Sequence, residues 1–187
     1  ETTGSVIGTR ESVCRLNNMK TIFLVRHAKS RWKDPSLDDI DRPLNKRGKT
    51  DASLMGEALR DVDVLPDLIL SSQAKRARKT AKIIADTLGY SKKKIVYDDS
   101  MYHLDAGSLL EIIRAQDPDH ESLMLFGHTP GLHDLAAMLV GEDPMSHFPT
   151  TGVCCIEFDL DDWRHMEEGT GNLVFFDFPR QHKEKTG

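Results

Sequence analysis

Cysteine is scarce in this chain. There are three: Cys14 stands alone near the start, and Cys154 and Cys155 are adjacent in an apolar run. An odd number without C-x-x-C spacing excludes a disulfide framework and an obvious structural zinc site. It fits a reducing compartment, and the expected location is the cytoplasm. Long apolar runs are missing too; none approaches the ~20 residues needed to span a bilayer, so no membrane partner is expected. The first nineteen residues are polar and lack the apolar core of a secretory signal. A basic excess is absent, since the net charge is −5, which argues against a broad nucleic-acid-binding surface. There is no G-x-G-x-x-G or Walker A loop for a nucleotide, and no serine in a G-x-S-x-G elbow.

What remains has an ordinary balance for a folded domain, with 39% hydrophobic and 29% charged residues in 187, enough for one domain with a sizeable core. Residues 1–18 carry no periodicity and read as a disordered leader or tag-like extension. Residues 19–180 read as a single domain and 181–187 as a polar tail.

The organising stretch is Thr21-Ile22-Phe23-Leu24-Val25-Arg26-His27-Ala28-Lys29-Ser30. A short apolar run without alternation suits a strand buried on both faces, although pattern alone leaves a buried helix segment open. After it, residues 31–43 are polar, broken by two prolines, and read as a long loop over the strand's end. Trp32 in that loop is either a wall residue or a half-buried anchor. Asn45 can cap a helix in which Ala52, Met55, Leu59 and Val62 recur at helical spacing. A second strand, 67–72, precedes a helix with Ala77, Ala81, Ile84, Ala85 and Leu88 on one face, stopped by Gly89. A short third strand covers 94–97, a helix 108–115, and a fourth strand 122–127. Pro130 suits the first turn of the helix that carries Leu132, Leu135, Ala136 and Leu139. Two further strands, 153–158 and 172–178, either pair as a hairpin or split across the sheet. The repeated strand–helix alternation predicts an α/β fold, a three-layer α/β/α sandwich around a mostly parallel sheet.

In such a sheet the carboxyl ends of strands share one edge, where ligands bind. The first strand brings Arg26 and His27 there. The second brings Ser71 and Ser72 and, one turn into its helix, Arg76. The fourth brings Gly127 and His128. Two arginines, two histidines and nearby helix N-termini suit a dianionic phosphoryl group. Metal ligation by the two histidines is opposed by the flanking cations and lacks a nearby carboxylate cluster, so neither a metal nor any other cofactor is expected.

These same residues carry a resemblance. Arg26-His27-Ala28 resembles the Arg-His-Gly signature of the histidine phosphatase superfamily, the phosphoglycerate mutase-like fold. The segment from Ser71 to Ala81 is similar to its Ser-x-x-x-Arg-Ala-x-x-Thr-Ala element, and Gly127-His128 to its second-histidine turn. Asp41-Arg42-Pro43-Leu44, followed by Gly48, also fits. The elements occur in order over residues 19 to about 140, and the short length and Arg-Pro-Leu element resemble the SixA-type phosphohistidine phosphatase branch.

The resemblance implies that His27 attacks phosphorus in line and becomes phosphohistidine, which water hydrolyses. It implies phosphate binding by Arg26, Arg76 and His128, with Ser30 either adding a hydroxyl or serving as an ordinary loop residue. It implies no cofactor, and as partner either a phosphohistidine-bearing protein or a small phosphorylated molecule. A phosphomonoesterase of broad specificity and a non-catalytic phosphate-binding module are the competing readings. Two departures matter. Ala28 replaces glycine, so the turn after His27 must avoid positive φ. The glutamate that many members use as proton donor has no clear match in Met101–Gly107; Asp105 is the best candidate, His103 a weaker one, and Asp105 has an equally good reason to exist as a helix cap. A weak or absent acid favours phosphohistidine, whose leaving imidazole protonates easily. Lys33, Arg42 and Lys46 either guide an acidic partner or form a solvated surface.

Overall fold

The computed structural model describes residues 19–31 and 36–183. The expected leader, Trp32, Lys33 and the last four residues lie outside the described residues. Strand β1 (Met19–Arg26) pairs in parallel with β4 (Ser122–Gly127), and β4 with β2 (Leu68–Ser72). A three-residue β3 (Val96–Asp98) adds to β2, also in parallel. On the other side of β1 lie β5 (Val153–Asp159) and β6 (Asn172–Asp177), which run antiparallel, giving the order β3-β2-β4-β1-β5-β6. The last two strands therefore pair with each other, the hairpin of the two arrangements open from sequence.

β1 is buried on both faces because each face is roofed by helices, and its alternate residues divide between them. Ile22 and Leu24 pack with α3 (Ala106–Arg114) and α4 (Gly131–Val140) through Leu109, Ile113, Leu132 and Leu135. Phe23 and Val25 pack with α1 (Lys46–Arg60) and α2 (Lys75–Leu88) through Met55, Leu59, Ala81 and Ile84. This is the three-layer sandwich expected from the strand–helix alternation. Burial of such side chains contributes roughly 1.5–3 kcal/mol each relative to exposure.

Several local expectations hold for their stated reasons. The Asn45 side chain accepts the Gly48 N–H at 2.7 Å, capping α1, and Gly89 at φ 74° ends α2. Ala28 avoids positive φ. Gly48 is required: a Cβ there would lie 2.1 Å from the Lys29 carbonyl oxygen, so α1 can seat on the turn after β1 only with no side chain. Two expectations need correction. Val62 lies beyond the end of α1 and is exposed, because the helix stops at Arg60. Gln181–Lys183, expected in a polar tail, complete a short helix α5 (Pro179–Lys183), and Lys183 Nζ meets the buried Asp51 of α1 at 2.5 Å.

Candidate active site

Register places the site. Arg26 pairs with Gly127 across β1 and β4, and Ser71 with Phe126 across β2 and β4, so the three strands end at one level. His27 N–H donates to the Gly127 carbonyl at 3.1 Å, extending that register past the strand. Arg26, His27, Ser72, Arg76 and His128 consequently converge.

The tautomer of His27 follows from its neighbours. Its Nδ1 is 2.9 Å from the Ala28 carbonyl, an acceptor, so Nδ1 carries the proton. Its Nε2 receives the Nε–H of Arg76 at 3.4 Å, and arginine only donates, so Nε2 presents a lone pair to the cavity. Burial lowers the His27 pKa to about 4, and the Arg76, Arg26 and Arg42 guanidiniums add to the effect against the opposing Ala28 bond. The ring is therefore neutral near pH 7.

His128 is 5.1 Å from His27 between ring centroids. Its Nε2 bonds Ser72 Oγ at 2.9 Å, and its Nδ1 faces Arg76 Nη2 at 3.4 Å. Burial again comes first, then repulsion from His27 and Arg76, in lowering its pKa to about 3. Arg76 is 3% exposed and joins these groups: one edge serves the two imidazoles, while Nη1 donates to the Asp39 carbonyl at 2.6 Å and Nη2 to Asp39 Oδ2 at 2.9 Å. Thr80 ties the element together, donating to the Arg76 carbonyl at 2.7 Å and accepting the Ala28 N–H at 3.0 Å.

Arg26 is braced from the opposite side. Its Nη1 donates to the Phe148 carbonyl at 2.7 Å. In the same loop Thr151, buried and at φ 62°, donates its N–H towards the carbonyls of Arg26 and His27 at 3.1 and 3.3 Å. A non-glycine residue in the left-handed region is held there by its surroundings, which here means the strand end that carries the nucleophile candidate.

His128 lines a neighbouring cavity, while Arg26, His27 and Arg76 line one of about 440 Å³ whose walls also include Lys29, Arg42 and Arg47. Ser30 is on its wall, 5% exposed, and its Oγ accepts from Arg42 Nη2 at 2.6 Å. Arg42 is thus a wall of the pocket itself, a place its familiar Arg-Pro-Leu setting hinted at and its reading as a partner guide did not. Among the described residues the only carboxylate lining this cavity is Asp39. Arg42 Nη1 donates to its Oδ1 at 2.7 Å and the Tyr102 hydroxyl to its Oδ2 at 2.5 Å. The Tyr102 bond first, then Arg42 and Arg76, hold its carboxyl well below the usual range.

Asp39 and Tyr102 were missed by sequence reasoning. Asp39 sits in a polar loop where aspartates are common, and Tyr102 lies in the Met101–Gly107 segment beside the two candidate acids, Asp105 and His103. Those two are placed differently. Asp105 caps α3, accepting the Ser108 N–H at 2.9 Å and its hydroxyl at 3.0 Å, bonds that hold its carboxyl below the usual range. It lines the neighbouring cavity of about 210 Å³ together with His103 and His128. The structure thus gives Asp105 its capping role, and Asp105 is not among the residues that line the His27 cavity. His103 borders both cavities, at φ 57°, with Nε2 3.6 Å from Asp39 Oδ2. No group of three or more His, Cys, Asp or Glu among the described residues is arranged to hold a metal ion.

A pocket with one neutral imidazole facing a shared guanidinium, several further cations and one carboxylate can receive a phosphoryl dianion and transfer it to nitrogen. The comparisons with known proteins point to phosphatase chemistry. The family model for the histidine phosphatase superfamily (branch 1) matches residues 22–121, more than half of the chain. An uncharacterized chloroplastic protein of Arabidopsis thaliana is 38% identical over 130 residues, covering 65% of this chain; the match spans 60% of that protein's length. An uncharacterized Mycobacterium tuberculosis protein is 33% identical over 165 residues, 83% of this chain and 100% of the other. A structure from Agrobacterium tumefaciens named for the phosphohistidine phosphatase SixA superposes with a TM-score of 0.72 at 32% identity, covering 84% of this chain and 97% of that one. A tungstate complex of the protein histidine phosphatase SixA, at 22% identity and TM-score 0.74, shares the fold. On these grounds the chain belongs to the histidine phosphatase superfamily, in its SixA-type branch, and is a phosphatase.

Proposed function

We propose that this phosphatase works without a metal, through attack of His27 Nε2 on phosphorus, and that its substrate is phosphohistidine in a partner protein such as a phosphotransfer domain. The observation that carries the reading is the fixed tautomer of His27. The Ala28 carbonyl holds the Nδ1 proton, so the Nε2 lone pair faces the cations that would bind the phosphoryl oxygens. Arg26 and Arg76 supply that charge, and most of the rate comes from their placement. Ser30 holds Arg42 and keeps a hydroxyl proton to give to a phosphoryl oxygen. His128 donates only with a proton on Nδ1. Ser72 permits this in either state, its hydroxyl donating to Nε2 of the neutral ring or accepting from Nε2–H of the charged ring, which a bound dianion favours.

Substrate class follows from the acid. With Asp105 capping its helix and Asp39 ionised, no protonated carboxyl among the described residues lines the His27 cavity to assist an alkoxide leaving group. A phosphorylated imidazole carrying a proton on its other nitrogen departs neutral and needs no such help. The names borne by the Agrobacterium structure and the tungstate complex support the same substrate. The adjacent buried thiols, Cys154 and Cys155, their pKa values raised to about 12 mainly by burial, are free and compatible with the expected cytoplasmic location.

The test compares turnover of phosphoramidate and a phosphohistidine protein with that of sugar phosphates, in EDTA. Preference for the nitrogen-linked substrates, with a 32P-labelled enzyme that His27→Ala cannot form, supports the reading. Preference for sugar phosphates or loss of activity on chelation overturns it.

A further inference from the structure

We propose that Asp39 is the general base for the second half of the reaction, the hydrolysis of phosphorylated His27. The inference rests on the function proposed above. It starts from the position of Asp39 across the Arg76 guanidinium from the nucleophile: Nε meets His27 Nε2 at 3.4 Å, while Nη2 meets Asp39 Oδ2 at 2.9 Å. A phosphoryl group on Nε2 would lie beside Arg76, with Asp39 on the other edge of the same guanidinium. A base at Asp39 requires that water reach phosphorus from that side, opposite the P–N bond.

The carboxylate is anchored independently of Arg76. Oδ1 stays on Arg42 at 2.7 Å and Oδ2 on the Tyr102 hydroxyl at 2.5 Å. Tyr102 is itself fixed against the ring of His128, edge-on at 5.4 Å. When phosphoryl oxygens take the Nη2–H of Arg76, Oδ2 loses one of its donors without losing its place. A lone pair then faces the attacking water.

Basicity changes in the required direction. In the resting site Tyr102, Arg42 and Arg76 serve the carboxylate and make it a poor proton acceptor. A phosphoryl dianion claims Arg76 and adds a like charge nearby, and both effects raise the affinity of Asp39 for a proton. The facing titratable groups are His103 at 3.6 Å and, across Arg76, His27 and His128.

The step balances. The water oxygen bonds to phosphorus as the P–Nε2 bond breaks, and the electron pair returns to Nε2. His27 departs neutral because Nδ1 keeps its proton on the Ala28 carbonyl. One water proton stays on the phosphate product; the other passes to Asp39 and on to solvent. The same carboxylate, ionised at rest, has no proton to give in the first half-reaction, so its role is confined to the second.

That confinement makes the test specific. Single-turnover labelling with 32P-phosphoramidate separates phosphorylation of His27 from its hydrolysis, in the full chain and in Asp39→Asn and Asp39→Glu. Asp39→Asn should be labelled within about threefold of the parent rate, yet lose its label about 10²-fold more slowly or worse, the usual span for a missing base. Asp39→Glu should recover part of the hydrolysis rate. Label lost from Asp39→Asn at the parent rate would overturn the inference. So would impaired labelling with normal hydrolysis, which would mark a binding role, or faster turnover, which would mark the carboxylate as an occupant that substrate must displace. If the parent enzyme turns over without ever carrying label, the proposed function fails first, and the inference with it.

Discussion

The two ends of the parallel sheet use buried cations in opposite ways. At the amino end Lys20 is 4% exposed, and its Nζ donates to the carbonyls of Pro118 and His120 at 2.5 and 3.0 Å and lies 5.5 Å over the Trp163 ring. Trp163 Nε1 donates to the same His120 carbonyl at 2.9 Å, and Asp67 accepts the N–H groups of Glu121 and Ser122. Backbone and side chains satisfy one another there. At the carboxyl end Arg26, Arg42 and Arg76 crowd two imidazoles and one carboxylate, and Arg26 Nε is buried with no hydrogen-bond partner among the described residues. One end is closed by its own bonds; the other holds positive charge in excess. The contrast teaches that a buried cation marks function only where its partners are too few or too easily exchanged.

Mutation should expose this difference. His27→Ala removes the proposed nucleophile and should cost about 10⁴-fold or more in kcat/KM, with no labelled enzyme formed. A residual labelled species would locate the nucleophile elsewhere. Arg76→Ala should lower kcat about 10²–10³-fold, as loss of a charge-stabilising donor does, while the melting curve shifts much less. At the opposite end the signs reverse: Lys20→Met leaves buried carbonyls short of a donor and should cost about 1–3 kcal/mol of stability in urea unfolding with kcat retained. A fall in kcat there would break the division between the ends.

Protonation sharpens the comparison further. NMR titration should find His27 ionising near pH 4 and His128 near 3, whereas His133, whose bond to Asp143 raises it, ionises above the ordinary value of 6.5. Because the unfolded chain protonates its histidines near 6.5 and the folded site resists until about 4, the unfolded state binds more protons in that window. Acidification through it should therefore reduce stability, and unfolding at pH 7 and pH 5 measures the loss. The smallest effect is expected for Asp105→Ala, which removes the α3 cap and should lower the melting temperature slightly while leaving turnover unchanged. A clear drop in kcat would restore Asp105 as the acid.

Much of the site was legible in the chain because strand ends announce themselves. Arg26-His27 and Gly127-His128 each follow an unbroken apolar run, and Arg76 follows the Ser71-Ser72 strand end by one turn. Asp39 carried no such signal, since nothing in a polar loop tells which of Asp38, Asp39 and Asp41 turns inward. Tyr102 was hidden similarly, its role set by a partner 63 residues away. Asp105 was legible in both senses at once, and only the fold showed what its oxygens hold: they reach the first turn of its own helix, and the cavity it lines is not the one that His27 lines.

Local chemistry by itself determined the strands, the helices, their caps and three of the strand-end residues, because apolar periodicity and backbone preference act over a few residues and are written consecutively. Only the tertiary structure decided which aspartate joins the cations, which nitrogen of His27 is bare, and how far its pKa falls. Those depend on burial and on charges brought together from separate strands and loops, and electrostatic energy follows distance in space rather than distance along the chain.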